Sequence, residues 1–101
     1  MELLPDELRA QLPALYAQEK ENNPMVYAKF FTPWTGWTWY ATEGSQEDED
    51  FIFFGYVIGL EKEWGYFSLN ELESVRGPGG LTIERNLHFT PKRKSEIAEI
   101  E

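Results

Sequence analysis

Residues able to do chemistry are few in this chain, and one type dominates. There are 18 carboxylates against nine Lys+Arg, a single histidine and no cysteine. Without cysteine there is no disulfide, no zinc–thiolate centre and no thiol nucleophile. A serine or threonine nucleophile needs a base held against it and an acid to orient that base. His88 is the one imidazole, and it falls on a strand-like stretch beside aromatic neighbours, where a structural or surface role accounts for it. Glu61, Glu63, Glu71, Glu73 and Glu84 are candidates for an acid–base pair of the glycosidase kind. Their spacing sets no two of them apart from ordinary surface charge. Lys62 among glutamates resembles part of a metal-dependent nuclease set, a chemistry that the chain's own field opposes. Gly77-Pro78-Gly79-Gly80 has the glycines of a phosphate loop without its lysine or its strand–loop–helix frame. The run Glu47–Asp50 lacks the twelve-residue, glycine-containing pattern of a calcium loop. No catalytic residue, metal or cofactor is expected.

Charge is the stronger signal. The formal net charge is −9, and residues 1–50 hold ten acids against three bases. Phosphates would be repelled, so direct binding of nucleic acid is not expected. The excess centres on Glu43 and the run Glu47-Asp48-Glu49-Asp50, read as an acidic loop over 43–50. A solvated loop that maintains solubility explains such a run. The sharper reading is a patch for a basic partner, with Glu61 and Glu63 as further contacts. On extended backbone, same-face pairs such as Glu47/Glu49 and Glu61/Glu63 lie roughly 6.6 Å apart. Two such rows together match the charge density of one strand of a duplex, which has one phosphate per ~3.4 Å. Trp34, in the turn Pro33-Trp34-Thr35-Gly36, adds an apolar anchor of the kind that protein contacts favour.

The elements that must position these groups follow from apolar spacing. Leu4, Leu8, Leu12 and Leu15 form one helical stripe, begun at Pro5 and interrupted by Pro13, with a further turn through Gln18. Met25–Thr32 and Trp37–Thr42 read as strands, the second with Trp37, Trp39 and Ala41 on one face. Phe51–Leu60 is apolar on both faces and reads as an interior strand, with a bulge or close backbone approach at Gly55 and Gly59. A hairpin leads into Trp64–Leu69. Ser68 and Glu71 have capping-box spacing for a short helix with a left-handed C-cap at Gly77. Leu81–Phe89 alternates as one strand or two, and Ser95 is placed to cap a last turn carrying Ile97 and Ile100. The class is α+β: an antiparallel sheet of four or five strands, with N-terminal, middle and C-terminal short helices mainly on one face. With 42% apolar and 16% aromatic residues, the 101 residues are expected to fold as one domain, 1–101. No stretch approaches ~20 apolar residues and no basic leader precedes an apolar run, so neither a membrane span nor export is expected.

Several blocks are similar to one small bacterial family. They are Val26–Phe31, Trp37–Glu43, Phe54–Glu61, Gly65–Glu73 and Gly80–Arg85, spread over nearly all of the chain. The family is a domain of unknown function carried on plasmids, integrative elements and phages, often near antirestriction genes. Its members tend to carry Asp and Tyr where this chain has Asn86 and His88, which speaks against chemistry at those positions. The resemblance implies a mobile-element protein acting against host defence, and the small, acidic composition is that expected of a soluble protein in the bacterial cytoplasm.

Combined with the charge, it gives an expected function. The chain is read as an anti-restriction or anti-CRISPR inhibitor that occupies the basic nucleic-acid-binding surface of a defence protein. The contacts would be Trp34, Glu43, Glu47, Asp48, Glu49, Asp50, Glu61 and Glu63. Alternatives are a small carboxylate- or metal-dependent enzyme, and an accessory interaction module for plasmid or phage maintenance.

Overall fold

The computed structural model describes all 101 residues. It contains helix α1 (Asp6–Gln11), strands β1 (Met25–Val26), β2 (Ala28–Phe31), β3 (Thr38–Glu47), β4 (Asp50–Ile58) and β5 (Lys62–Ser68), helix α2 (Leu69–Ser74), and strands β6 (Glu84–Arg85) and β7 (Lys92–Arg93). Five strands form an antiparallel sheet in the order β5-β4-β3-β2-β6, and β1 pairs with β7 in a separate ribbon. No helix is long and apolar enough to cross a membrane.

Strand alternation divides the buried side chains into two clusters on opposite faces of the sheet. Trp39 and Ala41 of β3 join Phe30, Phe51, Phe53 and Phe67 on one face, under Leu8 of α1 and Leu72 of α2. Phe53 is fully buried there, its ring 5.1 Å from those of Phe51 and Phe67 and 5.4 Å from Phe30. Tyr40 and Tyr56 point the other way and are covered by Ile97 and Ile100. The C-terminal turn therefore does not share a face with α1 and α2, as three helices on one side would require. Apolar residues on both faces of β3 and β4 demand cover on both sides, and on this side the last turn supplies it together with Val26 and Phe89. Tyr40 clamps that turn by donating its hydroxyl hydrogen bond to Glu99, whose carboxylate also pairs with Lys29 at 3.7 Å. Burial first, then this hydrogen bond, pushes the Tyr40 pKa well above its ordinary value.

Several local expectations are corrected. The acidic stretch 43–50 is not a loop: β3 runs through Glu47 and pairs with Asp50, leaving Asp48 and Glu49 as a two-residue turn. Asp48 takes a left-handed φ of 54°, which aspartate tolerates better than most side chains. β4 ends at Ile58, and Leu60 is 94% exposed. The segment 25–32 splits at Tyr27, whose N–H bonds to the Ala41 carbonyl at 2.8 Å, so that Val26 joins the C-terminal cluster while Ala28 and Phe30 join the other. The further turn after Pro13 is not helical. Only Glu84–Arg85 of the segment 81–89 pairs in the sheet, and Leu87 is exposed. Ser68 does cap α2, accepting the Glu71 N–H at 3.2 Å. Ser95 lies inside the last turn rather than capping it, and its N–H and hydroxyl are held by Asn23. Gly77 is extended (φ −101°) and forms a flat seat for the Trp34 ring, which a Cβ would strike at 2.4 Å.

Candidate partner-binding site

The second face of the sheet opens beside β5 into a cavity of about 390 Å³, between strands β3–β5 and the segment 16–24. Its lining includes the rings of Tyr16, Phe54, Trp64 and Tyr66 and the carboxylates of Glu19, Glu21 and Glu43. The rings form a connected set. Phe54 is stacked on Trp64 at 6.1 Å and meets Tyr66 edge-on at 5.0 Å, and Tyr66 meets Tyr16 at 6.5 Å. Pleating explains the set: Phe54 pairs directly with Tyr66, and Trp64 sits two residues along the same face. Hydrogen bonding to Tyr16, then burial and the neighbouring Tyr16, Glu43 and Glu19 groups, raise the Tyr66 pKa above its ordinary value.

Glu43 builds the wall of this cavity. A bulge between Ala41 and Glu43 shifts the register of β3, which brings Glu43 opposite Phe54 and onto the cavity face. Its carboxylate is 4% exposed and accepts the N–H groups of Tyr16 at 2.9 Å and Gln18 at 2.7 Å. Tyr16 is thereby held at φ 74°, a backbone region that costs a bulky residue roughly 1–3 kcal/mol. The Gln18 side chain completes the lock by donating to the carbonyls of Met25 and Thr42 and accepting the Met25 N–H. Aromatic faces beside fixed carboxylates favour a cation. The chain's own Lys94 illustrates this, its Nζ lying 5.9 Å from the Trp64 ring centroid.

A family model described as "Protein of unknown function (DUF2958)" matches residues 3–100. The chain belongs to this family. Neither a curated protein nor a solved structure matches it.

The structure of this DUF2958 chain separates the acids that sequence spacing grouped together. Glu47, Asp48 and Glu49 are exposed at the β3–β4 tip. Asn70 ties α2 to that tip by donating to the Glu49 carbonyl and the Asp50 carboxylate, so Glu71 joins the same end. Glu61 and Glu63 lie at the far end of β4, about 27 Å away along nine residues of strand. Glu43 is buried and Trp34 half-buried against Gly77, so neither presents a free contact surface. Of the carboxylates considered for an acid–base pair, Glu63 of β5 and Glu71 of α2 line one cleft on the α2 face, whereas Glu61 precedes β5, Glu73 is on α2 outside that cleft, and Glu84 is on β6 at the opposite edge of the sheet. His88 is exposed on a turn.

Asp50 has a structural role. Its carboxylate accepts hydrogen bonds from the Ser68 hydroxyl and from the N–H groups of Asn70 and Phe51, and these hold its pKa below the usual value, the Ser68 bond most strongly. A depressed folded-state pKa means the stabilisation is complete above the ordinary aspartate range, near pH 4, and is lost as pH falls through the folded value. Asp50→Asn is therefore expected to melt below the wild type at neutral pH. The gap should close on acidification towards pH 2, as measured by thermal melts across that range. A gap independent of pH would assign the effect to geometry rather than to charge.

Sequence reasoning missed Tyr16, Gln18, Phe54, Trp64, Tyr66 and Lys94. The period-two aromatics Phe54-Tyr56 and Trp64-Tyr66 were a usable signal, since alternation aims each pair at one face. Nothing local marks Tyr16, whose backbone is set by the buried Glu43 far along the chain.

Proposed function

We propose that the protein acts without catalysis, by docking its acidic end on a basic surface of a nucleic-acid-handling defence protein in the bacterial cytoplasm and keeping nucleic acid off it. The observation that supports this reading best is that the acids are not neutralised from within. Of 18 Asp and Glu residues, only Glu99 forms an ion pair with a cation of the chain. Glu47, Asp48 and Glu49 are exposed at a hairpin tip and none pairs with a cation of the chain; the nearby Arg9 donates instead to the Gln46 side chain at 2.8 Å. The resemblance to a mobile-element family supplies the setting, and the aromatic, acid-lined cavity, where the chain's own Lys94 lies against Trp64, adds a second surface that favours a partner lysine or arginine.

The isosteric triple variant Glu47→Gln, Asp48→Asn, Glu49→Gln tests the reading. Exposed charges contribute up to about 1 kcal/mol each, so the partner's affinity should drop roughly tenfold, with little change in melting. Wild-type protein immobilised at low salt should retain a nucleic-acid-binding host protein and release it at high salt, because exposed charges are screened within about 10 Å at 0.1 M. Duplex DNA should compete for that protein. Equal retention by the triple variant, or retention insensitive to salt, would refute docking through this end.

A further inference from the structure

We infer that the free edge of β5 takes up an extended, alternately apolar and cationic segment of a partner protein as a sixth strand of the sheet. The two edges of the sheet differ. β6 has two residues, whereas β5 has seven and pairs only with β4. None of the hydrogen bonds outside the ladders reaches Glu63–Tyr66, so every second residue there turns its N–H and C=O to solvent. Short edges and charged edge residues are the usual protection against strand addition, and the middle of β5 is Trp64-Gly65-Tyr66, with neither.

Grooves flank this edge on both faces. On the α2 face, Trp37, Trp39, Val57 and Leu72 border a mainly apolar cleft of about 330 Å³ that Gly65 opens onto, with Glu63 and Glu71 also in its lining. On the other face lies the aromatic cavity with its carboxylates. A strand added beside β5 sends successive side chains alternately to these faces, apolar into the first and cationic into the second. Gly65 supports the assignment. In Gly44, Gly55, Gly59 and Gly77 a Cβ would collide with a neighbour, but at Gly65 it would meet nothing within 4 Å, and no positive φ requires glycine there. A bare backbone on an edge strand leaves room for another backbone and its side chains. Charge selects a basic occupant over a second copy of the chain: Glu61 and Glu63 flank Lys62 at the start of the edge and leave it net negative, and two bodies of charge −9 would oppose one another across it.

The occupant's basic character rests on the proposed function, while the location rests on the edge alone. The test uses three capped seven-residue peptides at millimolar concentration: Lys and Val in strict alternation, the block isomer of the same composition, and the alternating peptide with Glu for Lys. Residue-resolved amide exchange is the readout. The alternating Lys/Val peptide should slow the solvent-facing amides of β5 about tenfold, and the block isomer should not. Gly65→Val should melt a few degrees higher, because valine suits a strand, yet lose the peptide's protection by filling the cleft. Protection at the hairpin tip, or equal protection by the block isomer, would overturn the edge assignment and leave acidic docking standing. Equal protection by the Glu peptide would overturn the basic occupant. Slow β5 exchange without peptide, in a dimer by sedimentation, would give the edge to a second copy and overturn the inference.

Discussion

Gly55→Ala is expected to yield no cooperatively folded protein. A Cβ at this position would lie 1.7 Å from the Tyr40 carbonyl oxygen, 2.8 Å from its carbon and 3.1 Å from the Ala41 Cα. All three obstacles are backbone atoms, so no change of rotamer relieves the clash. Gly55 pairs with Ala41 on one side and Gly65 on the other, in the interior of the ladder that joins β3, β4 and β5. A bulge at Ala41/Glu43 adjoins this close approach. Relief requires separating β3 from β4, which dismantles both buried clusters together. The loss should exceed about 4 kcal/mol, a large share of the 5–15 kcal/mol that holds a typical domain together. Circular dichroism melts and size-exclusion profiles check this. A sigmoidal melt within a few degrees of wild type would show that the approach is relieved cheaply.

The same glycine shows how far sequence reasoning reached. A glycine inside an apolar strand signals a close approach, and the structure supplies one. Alternation likewise separated Trp39 and Ala41 from Tyr40 correctly, because side-chain direction along a strand depends only on local geometry. Ser68 was identifiable as a cap because its partner, the Glu71 N–H, is three residues away. What failed was non-local. Gly77 resembled a C-cap, but its reason is the ring of Trp34, distant in sequence. The C-terminal turn was assigned to the wrong face because its location is set by Tyr40 and Asn23. The hydrophilicity of the acidic stretch suggests a loop, but polar side chains do not make the backbone irregular. In fact β3 continues along it, with Ser45 and Glu43 binding the N–H groups of Leu15, Tyr16 and Gln18.

The candidate site shows the same division. Glu47, Asp48 and Glu49 are where a charge argument puts them, in solvent and unpaired. Glu43 and Asp50 belong to the same run and have the same chemistry, yet each is occupied by hydrogen bonds that hold a distant segment in place. Composition counts all five alike. Only the register of β3 against β4, and the segments laid over it, distinguish the acids free to meet a partner from those that hold the fold together.

Glu43→Ala should therefore behave unlike any substitution at the tip, destabilising the protein by about 3 kcal/mol. The estimate comes from two partly buried N–H groups left without an acceptor, at the low end of about 1–3 kcal/mol each, together with the packing lost as segment 16–18 comes away from the sheet. With a urea slope of about 1–3 kcal/mol per molar, the midpoint should fall by roughly 1–3 M. Glu43→Gln should lose less, since one oxygen still accepts while the amide group faces the second N–H as a mismatched donor. The cavity should suffer in step, because the same two bonds hold Tyr16 at its left-handed φ. Once they are gone the ring leaves Tyr66, and an ammonium or guanidinium probe that perturbs Trp64 fluorescence in the wild type should lose its effect. A second substitution isolates the strain. Glycine adopts positive φ without penalty, so Tyr16→Gly added to Glu43→Ala should recover part of the stability without restoring the probe response. If Glu43→Ala melts like the wild type, the carboxylate is not what holds segment 16–18 on the sheet, and the cavity wall needs another cause. If the double variant gains nothing, the φ of 74° at Tyr16 stores no strain that this carboxylate maintains.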